Sequence, residues 1–166
     1  YQKQGKQIMR LDPAKGEYVP AGAKAAETVA RILKKKTWAE RLQLLRESDN
    51  PQAQFLWAVM RDGMQYAAIK LEEIADNARD LDMALRFGFG WKEGPFEIWQ
   101  QAGWSEVAGW IAQDIDEGKA LIASPLPDWV SSGPVAERGG VHQPEGSYSP
   151  ARKSFVPRSD LPVYER

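Results

Sequence analysis

The sequence contains no cysteine and a single histidine. The first absence excludes disulfides, thiolate metal sites and thiol nucleophiles, and fits a reducing compartment such as the cytoplasm. The second leaves no basis for a histidine-rich metal centre. No apolar run approaches the roughly 20 residues that a membrane-spanning helix needs, so no membrane span is expected, and no segment has the form of a signal peptide. A Walker loop is missing, and so is a dinucleotide GxGxxG: Gly88-Phe89-Gly90 lacks the third glycine and precedes no helix of the required kind. His142 lies in GGVHQPEG, expected to be a solvent-facing loop with no serine-nucleophile motif near it. The acidic pairs Asp80/Asp82 and Asp114/Asp116 are two apart and do not share a helix face, which makes an independent carboxylate-dyad enzyme a weak reading.

What is present is an ordinary globular composition. With 166 residues, 43% hydrophobic and 27% charged, the chain is long enough to bury a core and is expected to form one domain. It opens at Tyr1 on residues that already read as strand, so it is expected to be a piece of a longer polypeptide. The net charge of −1 conceals a division. Residues 1–46 hold 11 Lys and Arg against 4 Asp and Glu, residues 47–118 hold 5 against 14, and the remainder 6 against 5. A basic first third could meet the phosphates of CoA or of a nucleic acid as a free-standing helical binding module. The plainer reading is that it neutralises the acidic middle or a neighbouring domain, with no nucleic-acid partner. Lys34, Lys35 and Lys36 then form a solvated helix end, where cations complement the dipole.

The fold class is mainly α: a bundle of about five to six helices with short β-hairpins near both ends. Residues 1–21 read as the first hairpin, with Ile8–Leu11 and Glu17–Val19 as strands around the turn Asp12-Pro13-Ala14-Lys15-Gly16. SPARKSFVP (149–157) lines up with DPAKGEYVP (12–20) at six positions, which predicts a second, similar hairpin. Between them lies a helical region over 22–123. Residues 22–35 are alanine-rich and favour helix. Thr37-Trp38-Ala39-Glu40 is a capping-box sequence for a helix reaching about Glu47. Asn50-Pro51 starts the next helix. Phe55, Leu56, Val59, Met60, Gly63, Met64, Ala67, Ala68 and Leu71 make its apolar stripe, expected to face the core. Asn77–Arg86 reads as a helix with Leu81, Ala84 and Leu85 inward and Gly88 as its stop. Pro95 opens another that Gly103 ends, and Ser105 caps a last one whose buried face is Val107, Ala108, Ile111 and Ile115. Residues 124–166 hold 7 of the 11 prolines and read as an extended connector carrying the second hairpin.

One segment stands out. RFGFGWKEGPFEIW (86–99) packs two tryptophans, three phenylalanines and three glycines into fourteen residues. It reads as a hinge rather than a ligand loop: Gly88 ends one helix, Gly94-Pro95 begins the next, Glu97 sits in the favourable first turn, and the aromatics fasten the two.

The ordered series Ile74-Ala75-Asp76, Asp80 to Arg86, Phe87-Gly88-Phe89-Gly90-Trp91 and Gly94-Pro95-Phe96-Glu97-Ile98-Trp99 resembles the C-terminal helical domain of 3-hydroxyacyl-CoA dehydrogenases. The flanking segments are most similar to a branch in which a long bacterial β-oxidation protein joins a dehydrogenase to an enoyl-CoA hydratase. On that resemblance this chain is a second copy of the helical domain. The resemblance marks Asp82, Gly88, Trp91, Gly94, Pro95, Phe96, Glu97 and Trp99 as signature and interdomain-packing residues. It implies a parent that oxidises (S)-3-hydroxyacyl-CoA with NAD, bound on a nucleotide-binding domain that also carries the family's catalytic residues. No catalytic, cofactor or metal residue is then expected in this chain. The family's substrate-adjacent asparagine is matched here by Ala58, which can make no such contact. The implied role is a scaffold that packs on the nucleotide-binding, first helical and hydratase-like domains and helps frame the acyl-CoA site.

Overall fold

The structure, a computed structural model, describes residues 1–22 and 25–157; the ends of two expectations, at residues 23–24 and 158–166, fall outside it. It is mainly α. A three-stranded antiparallel meander comes first: β1 (Gln2–Gln4), β2 (Gln7–Asp12) and β3 (Glu17–Pro20). Five helices follow: α1 (Glu27–Leu33), α2 (Trp38–Glu47), α3 (Pro51–Ile74), α4 (Ala78–Phe89) and α5 (Pro95–Asp116). A 3-10 turn (Asp128–Val130) and α6 (Gly133–Arg138) lead into a second meander, β4 (His142–Gln143), β5 (Gly146–Ser149) and β6 (Ser154–Val156). Both expected hairpins are therefore present, each with one further strand in front of it.

α2, α3 and α4 begin where short polar side chains satisfy free backbone N–H groups. Thr37 Oγ1 accepts from the Glu40 N–H at 3.2 Å, Asn50 Oδ1 from the Gln52 N–H at 2.9 Å with Pro51 behind it, and Asn77 Oδ1 from the N–H groups of Arg79 and Asp80. The stop of α4 is Gly90 rather than Gly88: Gly90 takes the left-handed conformation (φ 68°), whereas Gly88 is the last helical glycine before it. α5 is broken at Gly103 (φ 103°, ψ 96°), where the sequence placed the end of one helix, and Ser105 lies within the helical stretch beyond the break.

The core is one cluster. Leu42, Leu45, Trp57, Met64, Leu71, Leu81, Phe96, Trp99, Val107 and Ile111 join α2 to α5, and Val130, Val135, Val141 and Tyr148 add the later segment to it. Residues 124–157 are thus not simply extended over the surface. SSGPVAERGG contains α6, opened by Pro134 and closed by the left-handed Gly139, and Val135 is fully buried.

α3 follows its apolar stripe in its second half and departs from it in its first. Met64, Ala67, Ala68 and Leu71 of the stripe are buried as expected, but Phe55 and Val59 stand in solvent, and Ala53, Trp57, Arg61 and Gln65 are buried instead. The polar members are held by partners far along the chain. Asp114 Oδ2 accepts from Trp57 Nε1 at 2.7 Å and from Arg61 Nη1 at 3.0 Å. Arg61 Nη2 donates to the Lys119 carbonyl, and Gln65 Nε2 to the carbonyls of Ile122 and Ser124. A buried guanidinium flanked by Asp62 and Asp114 keeps its charge, and its pKa rises because those carboxylates outweigh desolvation. Ala84, expected inside, is exposed as well.

Candidate interdomain clamp and aromatic face

The site is built on the joint between α4 and α5. Asp82, one turn into α4, is buried and points its carboxylate at the start of α5. Oδ1 accepts from the Phe96 N–H at 3.0 Å and Oδ2 from the Glu97 N–H at 2.9 Å. Two of the four N–H groups that a helix start leaves free are thereby satisfied by a carboxylate from another helix, placed at the positive end of the dipole. Pro95 has no N–H to satisfy at that first position.

The same joint explains the residue types around it. A Cβ on Gly94 would lie 2.3 Å from the Asp82 carboxyl carbon, so only glycine fits. Glu97 folds back, accepting from the Gly94 N–H through Oε2 at 2.7 Å and from Arg86 Nη1 through Oε1 at 2.9 Å. Phe96 and Trp99 are fully buried beneath. From them an aromatic chain runs outward. Trp99 stacks on Trp104 with centroids 4.4 Å apart, Phe96 and Trp104 each meet Trp129 at 6.3 Å, and Trp129 meets Tyr148 at 5.3 Å. The indole N–H groups are satisfied on the way, Trp99 by the Trp104 carbonyl and Trp104 by that of Val130.

His142 is not the solvent-facing loop residue its surroundings in the sequence suggest. Its Nε2 lies 2.9 Å from Asp82 Oδ2 and its Nδ1 3.1 Å from Ser147 Oγ. The order Asp82, His142, Ser147 has the connectivity of a hydrolytic triad, but Ser147 is buried and its Oγ already accepts from the Arg79 N–H at 3.0 Å. A nucleophile needs an open approach and an oxyanion site beside it. Here the carboxylate is committed to a helix start and the hydroxyl to another, so the group ties α4, α5 and the second meander together. Burial pushes the Asp82 carboxyl above the usual range, against the opposing pull of His142 and the Phe96 N–H. Sequence reading found Asp82 and missed His142 and Ser147; the only signal was the histidine's uniqueness.

The signature residues divide into two sets. Asp82, Gly94, Pro95, Phe96, Glu97 and Trp99 meet at the joint. Gly88 lies near the exposed end of α4, and Trp91 stands outside, 51% exposed, with Phe89 (71%) 5.9 Å from it. The aromatics of 86–91 therefore do not fasten the two helices; Phe87, Phe89 and Trp91 face solvent. Trp91 separates two apolar hollows. One, of about 840 Å³, runs between α3 and α4 past Tyr66, Ile74, Leu81, Leu85 and Phe89. The other, of about 380 Å³, is lined by Trp38, Met60, Met64, Pro95 and Ile98.

Elsewhere the chemistry is sparse. Ala58 borders a polar hollow of about 590 Å³ with Arg46, Arg61, Asp114 and Lys119. Several cations of the basic first third already have local partners: Arg31 faces Glu27, Lys35 faces Glu40, and Arg41 lies over the Trp38 ring while donating to the Lys35 carbonyl. Among the described residues no cluster of acidic residues and histidine has metal-site form, and no helix is long and apolar enough to cross a membrane.

Against known proteins, the chain is 31% identical over 129 residues, 71% of its length, to a protein of Bacillus subtilis (strain 168) named a probable 3-hydroxyacyl-CoA dehydrogenase. It is 28% identical over 94 residues, 55% of its length, to a Rickettsia felis protein that carries the provisional name fatty acid oxidation complex trifunctional enzyme. The chain spans only 16% and 12% of those two proteins. No family model matches the sequence, and no solved structure matches it. The chain is thus related to a segment of proteins named for 3-hydroxyacyl-CoA dehydrogenation and fatty acid oxidation.

Proposed function

We propose that this chain is a non-catalytic packing domain of a longer, NAD-dependent (S)-3-hydroxyacyl-CoA dehydrogenase of fatty acid β-oxidation, acting in the cytoplasm. The observation that carries the reading is the contrast within the signature segment. Every polar group at the joint is occupied in holding α5 on α4, while the aromatics just before it are left facing outward along an apolar groove. Contiguous exposed apolar surface of this kind marks an interaction site. The packing partners are the nucleotide-binding, first helical and hydratase-like domains of the parent, and packing on the first helical domain imitates the dimer contact of shorter relatives. Acyl-CoA is reached only through that assembly.

The residues here do not fit NAD. Gly88 lies within the last turn of α4, Gly90 ends it, and a short bend leads into α5, so no strand precedes these glycines as the strand–turn–helix order that cradles a pyrophosphate requires. No step of the oxidation is therefore assigned to this chain. What its residues do is mechanical: Asp82 fixes the angle between α4 and α5, and that angle sets the direction of the groove beside Trp91.

The test uses the isolated chain and the parent together. NAD and a 3-hydroxyacyl-CoA added to residues 1–166 should give no NADH, and deletion of the segment should lower the parent's solubility or its dehydrogenase rate. Turnover by the isolated chain, or an unaffected parent, overturns the proposal.

A further inference from the structure

The groove between α3 and α4 has a rim of one charge. Its charged lining is Glu72, Glu73, Asp76 and Asp80, with no Lys or Arg beside them among the described residues. All four are exposed. Glu73 has Lys70 Nζ at 2.6 Å and Asp80 accepts from Asn77 Nδ2. Glu72 and Asp76 have no hydrogen-bond or ion-pair partner among the described residues. The imbalance is local to this groove. Beyond Trp91 the charged lining of the smaller hollow is mixed, Arg41 and Lys92 with Glu93.

Between the carboxylates the lining is apolar, and Ile74, Phe89 and Trp91 are left exposed there. Both walls are helices, whose main-chain N–H and C=O groups are paired within each helix. An extended segment laid in the groove would find no main-chain partners and would bury its own groups unpaired. A helix brings its backbone already satisfied. Two neighbouring helices also present ridges and grooves into which a third packs, and Gly63, Ala67 and Ala84 let it come close. The rim selects further. A fatty acid or an anionic lipid has an apolar tail to bury, but it would set a negative head against four carboxylates.

We propose that the groove between α3 and α4 seats a cationic amphipathic helix, with its apolar stripe on Leu81, Leu85 and Phe89 and its Lys or Arg side chains on Glu72 and Asp76. The occupant is a helix of the parent polypeptide outside residues 1–166. α4 has 12 residues, about 18 Å of helix, so an occupant of about three turns covers it. Opposite charges across such a contact fix its register and turn away acidic surfaces. This rests on the reading of the chain as a packing domain of a longer polypeptide, and it names what the exposed aromatics receive.

Zero-length carbodiimide coupling of the natural full-length polypeptide, read by mass spectrometry, tests it. Glu72, Asp76 or Asp80 should join to lysines outside residues 1–166 that lie three or four positions apart, as one helix face carries them. Amide hydrogen exchange over residues 84–89 should be at least about tenfold slower in the full-length protein than in the isolated chain, because docking suppresses local opening. Glu72→Lys with Glu73→Lys should abolish that slowing. It should leave the isolated chain's Tm unchanged, since cations in the last turn of α3 suit its dipole. Glu72→Asp with Glu73→Asp, which keeps the charge, should preserve the slowing. Slowing that survives the charge reversal overturns the cationic helix while leaving the groove an interdomain contact. So do missing cross-links, or cross-links confined to residues 1–166 within one chain or between two copies. A fall in the isolated chain's Tm on charge reversal also overturns it, because the rim would then serve the domain's own fold. Equal exchange in the two contexts overturns the inference and the packing role together. Cross-links and charge-sensitive slowing in a full-length protein without dehydrogenase activity support the inference and refute the proposed function.

Discussion

The two meanders share a strand order, a turn and a cross-strand pair, yet one is largely in solvent and the other is part of the core. β1–β3 buries only Met9, while Gly146 to Pro150 of the second are all buried. The difference does not come from strand propensity, since residues such as Ile8, Leu11 and Tyr18 favour a sheet at least as well as Gly146-Ser147-Tyr148-Ser149. It comes from what stands beside the sheet. The second meander has Trp129 on one side, and His142 and Ser147 bonded to α4 on the other. A three-stranded sheet gains most of its stability from such cover.

Tyr148→Ala should break this contrast most severely. Truncating a buried aromatic costs about 3–5 kcal/mol, which for a chain of this size lowers Tm by roughly 10 °C, read by thermal melting of the isolated chain. The equivalent Leu11→Ala should stay within about 0.5 kcal/mol of wild type. Similar effects at the two positions would mean that the sheets are not differently seated. Asp82→Ala comes next: it strips two helix-start N–H groups of their acceptor at about 1–3 kcal/mol each. It should also raise hydrogen exchange in β4–β6 without altering β1–β3. Ser147→Ala removes one of the two acceptors of the Arg79 N–H, Asn77 Oδ1 being the other, together with the partner of His142 Nδ1, and should cost about 1 kcal/mol in a urea titration, against no measurable change for Arg10→Ala at the matching position. The smallest effect is in pH. Burial raises the pKa of the Asp82 carboxyl above its ordinary value of 3.8, so between the two the native state holds a proton that the unfolded chain has released. The stability difference between wild type and Asp82→Asn should therefore shrink as pH rises from that value through the raised one, seen as converging urea midpoints.

How much of this was written locally explains what the sequence disclosed. Thr37, Asn50-Pro51, Asn77 and Gly94-Pro95 mark helix starts through bonds spanning two or three residues, so they are legible without the fold. The fold class and the paired turns follow from the same local grammar. The inward face of α3 is not local. Trp57, Arg61 and Gln65 are buried because Asp114 and three carbonyls over 119–124 receive their polar tips, and an apolar count places Phe55 and Val59 there instead. The joint was half legible: Asp82 and Gly94-Pro95-Phe96-Glu97 are visible as a pattern, but His142 lies 60 residues from its carboxylate partner. Gly88 and Gly90 are equally good stops on paper, and only the chain's path selects the second.

The central claim is that the signature segment holds one surface together and offers another. The most direct measurement is the rate of NADH formation by the full-length polypeptide carrying Phe89→Ser and Trp91→Ser, with the Tm of the same variant of residues 1–166 as its control. Both side chains are largely solvent-facing, so the isolated domain should keep its Tm, as exposed substitutions do. The full-length enzyme should lose rate or solubility because its interdomain contact is weakened. A full-length enzyme with undiminished rate and solubility would contradict the account.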